Sequence, residues 1–125
     1  MLSVFKKICD KNGWQLVGDT ATIGLGDGRK QSVHAEVVVD NDDELLRLYS
    51  VIGDAALLDE QRMSAALRLN AGLRHGAIAI RKQALVLTDT FLLREADHDE
   101  VKMSVQYLAR MADQYEKTIY RTDKH

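Results

Sequence analysis

Apolar residues near the end of the chain fall at Val101, Val105, Leu108, Ala112, Tyr115 and Ile119. Steps of four and three put them on one stripe of a helix, so the pattern predicts a long amphipathic helix from Asp97 to Tyr120. Asp97 is a suitable N-cap, and Glu100 three residues later has the spacing of a capping box. Asp99 and Glu100 sit at the positive end of this helix and Lys117 near its negative end. Asp113 and Lys117 are spaced as an i,i+4 ion pair.

Upstream the period changes. Leu2, Phe5, Ile8 and Cys9 predict a short helix over Met1 to Asn12, stopped by Gly13. Trp14 to Leu25 reads as a strand with Val17, Ala21, Ile23 and Leu25 on one face. The stretch Gly24 to Gly28 is a turn, with Asp27-Gly28 its strongest hairpin signal. In Gln31 to Val39, Val33, Ala35, Val37 and Val39 alternate with Ser32, His34 and Glu36, the clearest strand in the chain. Asp40 to Asp43 is a polar turn. Glu44 to Ile52 is a third strand, with Leu46, Leu48 and Ile52 on one face and Leu45, Tyr49 and Val51 on the other. Apolar residues on both faces predict cover on both faces, the second supplied by a partner subunit. Asp59 to Ala71 returns to helical period, with Asp59 as N-cap and Gly72 as stop. Gly76 to Arg81 and Ala84 to Phe91 form a last strand pair. The order α-β-β-β-α-β-β-α favours an α+β fold, an antiparallel sheet with helices on one face.

The length of 125 residues suits a single domain, 1–125. An apolar fraction of 46% and a charged fraction of 29% are those of a soluble globular protein. A net charge of -2 gives no electrostatic case for nucleic acid. No apolar run reaches the length of a membrane span or a signal peptide, so the cytoplasm is the expected compartment. With Cys9 the only cysteine, no intrachain disulfide can form.

Chemistry is sparsely signalled. The glycines at 24, 26 and 28 lead into a strand, not into the helix N-terminus that a phosphate loop requires. His34, His75, His98 and His125 show no local metal-ligand spacing, and neither a metal nor another cofactor is expected. Asp40, Asp42, Asp43 and Glu44 lack the spacing of a calcium loop. Cys9, on an apolar stripe, reads as a buried and inert thiol. Asp89 continues the parity of Leu85 and Leu87, and marks the point where the strand leaves the sheet. Arg47 stands among Leu45, Tyr49 and Val51 on one strand face, a combination that suits either an arginine laying its stem along apolar surface with its head in water or a protein interface.

Leu67 to Asn70, Gly76 to Ile80, Ala84 to Thr88 and the final helix with Tyr107, Leu108, Ala112, Asp113 and Tyr115 together resemble the class I type III secretion chaperones. The resemblance extends to their free-standing relatives, the YbjN-like bacterial sensory transduction regulators. It implies a cytoplasmic bacterial protein that pairs as a homodimer, and a surface that binds an extended segment of a client protein. It transfers no catalytic residue. Leu45, Arg47, Tyr49 and Val51 are then the candidate protein-binding residues, in a chaperone-like module that is not an enzyme. The alternatives are a small enzyme with a dispersed polar site around His75, Arg81 and Asp89, and a purely structural or regulatory homodimer.

Overall fold

The computed structural model describes residues 2–120. Helix α1 spans Ser3–Asn12, and strands β1 to β4 span Gln15–Val17, Thr20–Gly26, Arg29–Asp40 and Asp43–Asp54. Helix α2 covers Glu60–Arg68, β5 Ala77–Arg81, β6 Ala84–Leu92 and α3 His98–Tyr120. Short 3-10 turns at Ala55–Leu57, Leu69–Gly72 and Leu93–Glu95 join them. All strand pairings are antiparallel, in the order β1-β2-β3-β4-β6-β5.

The hairpin turns sit where the sequence places them. Asp27 and Gly28 have φ of 55° and 75°, and Asn41 and Asp42 have 52° and 70°. Two successive left-handed residues make the type I′ turn whose twist matches that of the strands it joins. They close Gly26 onto Arg29 and Asp40 onto Asp43.

Helix α3 lies across β2, β3, β4 and β6. Its predicted stripe is buried in full, with Ser104 and Ala109 buried beside it. Asp97 Oδ1 accepts from the backbone N–H groups of Asp99 and Glu100 at 2.8 and 3.2 Å, the expected N-cap. Beneath the helix lie Val33, Leu46, Leu48, Ile52, Leu85 and Leu87. Helix α1 adds Phe5, Ile8 and Cys9 to this core and packs on α3 and β1. Helix α2 packs on β5. The Asn70 side chain following it accepts from Ile78 N–H at 2.6 Å.

Two expectations are corrected. Trp14 to Leu25 is two strands, because the chain reverses at Gly18-Asp19 and pairs Val17 with Thr20. The reversal breaks the alternation: Val17 shares the face of Thr20, away from Ala21 and Ile23, and is 70% exposed. Asp89 does not end its strand. It pairs with Leu48 inside β6, which runs on to Leu92. Among the described residues nothing covers the second face of β4, since the helices lie against the Leu46, Leu48 and Ile52 side.

Candidate functional site

The helix-free face of the sheet is assembled from the alternate residues of its strands. Register places Val38, Leu45 and Leu92 in one row, Glu36, Arg47 and Thr90 in the next, and His34, Tyr49 and Thr88 in a third. Val51 and Val86 follow. Leu45, Arg47, Tyr49 and Val51 thus stand together, as strand alternation requires.

Tyr49 is the centre of this face. The His34 ring stacks on it at 4.9 Å between centroids and 25° between planes. The Arg81 guanidinium lies 4.3 Å from its centroid, a cation–π contact. Both Arg81 terminal nitrogens donate to Glu36, each at 2.9 Å. The fork comes from the outermost strand β5 and crosses β6 and β4 to reach β3. These hydrogen bonds push the Arg81 pKa upward. Burial, and secondarily the Arg81 charge, push the His34 pKa down, favouring a neutral ring. His34 Nδ1 is hydrogen-bonded to Thr20 Oγ1 at 2.8 Å.

Two hollows flank this cluster. One of about 520 Å³ is lined by Tyr49, Val51, Arg81, Gln83 and Val86 among others. The other, about 340 Å³, is lined by Arg47, Tyr49, Ala79, Thr88 and Thr90 among others. Arg47 donates through Nε to Thr90 Oγ1 at 3.3 Å. Val51 is 39% exposed.

The dispersed polar set does not converge. Arg81 belongs to the helix-free face, whereas Asp89 points the other way and accepts from Ser104 of α3 at 2.7 Å. His75 packs edge-on against Tyr107 at 5.2 Å. The sheet itself separates Arg81 from the other two, so these residues form no common cleft. Cys9 is fully buried, and its thiol pKa is pushed up to about 11 by burial and then by Asp10. Among the described residues no group of three or more His, Cys, Asp or Glu is placed to hold a metal ion. No helix of the described residues is long and apolar enough to cross a membrane. His98 is exposed at the start of α3, and His125 lies outside the described residues.

Sequence reasoning found the β4 residues and missed Glu36, His34 and Arg81 as their companions. For Glu36 and His34 the signal was present: the Asp40 to Asp43 turn fixes their register opposite Arg47 and Tyr49. For Arg81 there was none, because it reaches Glu36 across 45 residues of sequence and two intervening strands.

No family model matches the sequence, and no curated protein matches it. Solved structures do. One is a chain in the crystal structure of the ExsC–ExsE complex, with a TM-score of 0.62 at 11% identity, covering 93% of this chain and 90% of that one. Another is a chain in the structure of the HopA1–SchA chaperone–effector complex, with a TM-score of 0.58 at 10% identity, covering 91% and 94%. At these identities the likeness is one of fold: an α+β, type III secretion chaperone-like arrangement of antiparallel sheet and helices.

Proposed function

We propose that this chain is a non-enzymatic, chaperone-like protein-binding module of the bacterial cytoplasm, with Leu45, Arg47, Tyr49 and Val51 at its binding surface. The observation that carries this reading is the helix-free sheet face, where apolar, aromatic and arginine side chains adjoin with no covering element among the described residues. Such a mixture is that of interface centres. The two solved neighbours, which come from complexes with partner proteins, support it by analogy of fold. The resemblance to YbjN-like relatives belongs to the same reading.

The test is capture of partners from the native cell by the tagged protein and by a Tyr49→Asp, Val51→Asp variant, with identification by mass spectrometry. Partners retained by the wild type and lost by the variant are expected. Identical sets, or no partner for either, would overturn the assignment of this face.

A homodimer is the accompanying reading, and a separate surface favours it. Helix α2 packs on the edge strand β5, and there Leu67 and Ile80 are 50% and 55% exposed. Among the described residues β5 has a strand neighbour on one side only, its outer side being met at Ile78 by the Asn70 side chain. Light scattering after gel filtration is expected to give twice the chain mass, and Leu67→Asp to halve it. A monomer at all micromolar concentrations would remove this reading.

A further inference from the structure

Glu36 and Arg47 occupy directly opposite positions on β3 and β4. Opposite charges so placed ordinarily pair. Here both carboxylate oxygens of Glu36 are taken by Arg81. Arg47 keeps one long hydrogen bond, to Thr90, and no carboxylate among the described residues lies within ion-pair distance of it.

The surroundings make this free guanidinium informative. On one side of it is the apolar row of Val38, Leu45 and Leu92, and on the other, beyond Tyr49, is Val51. Strand alternation puts Lys30 on the same face as Glu36. The chain carries a net charge of -2, yet the middle of this face holds Arg47 and Arg81 against Glu36 alone, with Lys30 toward the end that carries Asp54. The carboxylates of Asp40 and Asp54 fall at its ends, and Asp54 already accepts from Ala56 N–H at 2.9 Å. Successive rows on a strand face are two residues apart, about 6.6 Å. An extended peptide repeats its own side chains at the same interval.

We propose that this face docks an extended segment of a partner protein in which a carboxylate is flanked by apolar side chains at even spacing. The carboxylate pairs with Arg47. An apolar side chain two residues to one side covers Val38, Leu45 and Leu92, and another, four residues to the other side, covers Val51. The proposal rests on the protein-binding reading above and adds the chemistry of the partner. A second copy of the chain suits the face less well, because a two-fold contact sets the same positive patch against itself. Complementary charge at such a site governs specificity and encounter rate.

The test uses the intact protein on an array of random-sequence peptides. It adds fluorescence anisotropy with a peptide reading Leu-Ser-Glu-Ser-Ser-Ser-Leu and its counterpart with lysine for glutamate. Enrichment of acidic residues between apolar ones is expected, as is binding of the glutamate peptide only. Arg47→Ala should weaken that binding by about tenfold or more, and Arg47→Glu should transfer it to the lysine peptide. Circular dichroism melts verify that both variants fold. Enrichment of apolar peptides with no acidic preference, or glutamate-peptide binding indifferent to Arg47, overturns this proposal and leaves the protein-binding reading standing. No enrichment of any kind overturns both. A dimer that Tyr49→Glu converts to monomer shows a second copy on the face and overturns the proposal as well.

Discussion

Arg81 at the end of β5 holds Glu36 of β3 through two hydrogen bonds of 2.9 Å, fastening the outermost strand to one three places away in the sheet. The two side chains are 34% and 27% exposed, so water screens the pair and its net worth is modest. Arg81→Ala is expected to cost about 1 kcal/mol of stability, from the bidentate geometry and the lost packing on Tyr49. The hydrogen-exchange protection of β5 should fall more than that of β3, because β5 has a neighbour on one side only. Urea titration and amide exchange measure the two effects. Equal loss of protection in both strands would contradict this account of the strap.

Asp89 and Ser104 tie the sheet to the long helix. Ser104 is fully buried and donates to the Asp89 carboxylate at 2.7 Å. Removing the acceptor strands a buried hydroxyl, which costs about 1–3 kcal/mol. Asp89→Ala should therefore destabilise by that amount, while the double variant Asp89→Ala, Ser104→Ala should recover part of it. A double-mutant cycle by chemical denaturation measures the coupling, and strict additivity would show that the hydrogen bond contributes nothing.

Gly53 and Tyr120 meet so closely that a side chain at Gly53 has no room. A Cβ there would fall 2.5 Å from the Tyr120 ring, whose hydroxyl donates to the Asp54 carbonyl at 2.7 Å. Gly53→Ala must displace the ring and break that bond, at a cost of about 1–3 kcal/mol. In a Tyr120→Ala background the same change should cost much less. Thermal melts of the four proteins test this, and an unchanged cost in that background would remove the ring as the cause.

His34 links stability to pH. Its folded pKa lies below the ordinary 6.5, chiefly through burial and then through Arg81. The groups that face it are Tyr49, Thr20 and Arg81, with Glu36 neutralising the arginine. A depressed pKa means that the unfolded chain binds the proton more readily. The His34 contribution is thus complete above pH 6.5 and is lost as pH falls through the folded pKa. Melting temperature should decline as pH falls below 6.5, and His34→Gln should flatten part of that decline. An identical slope in the variant would rule His34 out as its source.

The final helix, its cap and its buried stripe were legible in the sequence, as were the alternating faces of β3 and β4 and the two left-handed turns. Each is a local property: a period of 3.6 or 2 set by backbone geometry, or a residue able to adopt positive φ. The division of Trp14 to Leu25 was less plain, since Gly18 is the sole mark of a reversal that moves Val17 to the other face. Leu45, Arg47, Tyr49 and Val51 were legible as one strand face. Which side of the sheet the helices leave open was decided only by packing, where α3 covers the richer apolar side at Leu46, Leu48 and Ile52. Nor does any local pattern say that β6 inserts between β4 and β5. That strand order brings Arg81 to Glu36, leaves Arg47 without a carboxylate among the described residues, and puts Asp89 on the opposite side from Arg81. The sequence by itself determined the elements and their faces, because those follow from neighbours along the chain. Only the tertiary structure decided which charges meet, because that depends on strand order, which joins residues far apart in sequence.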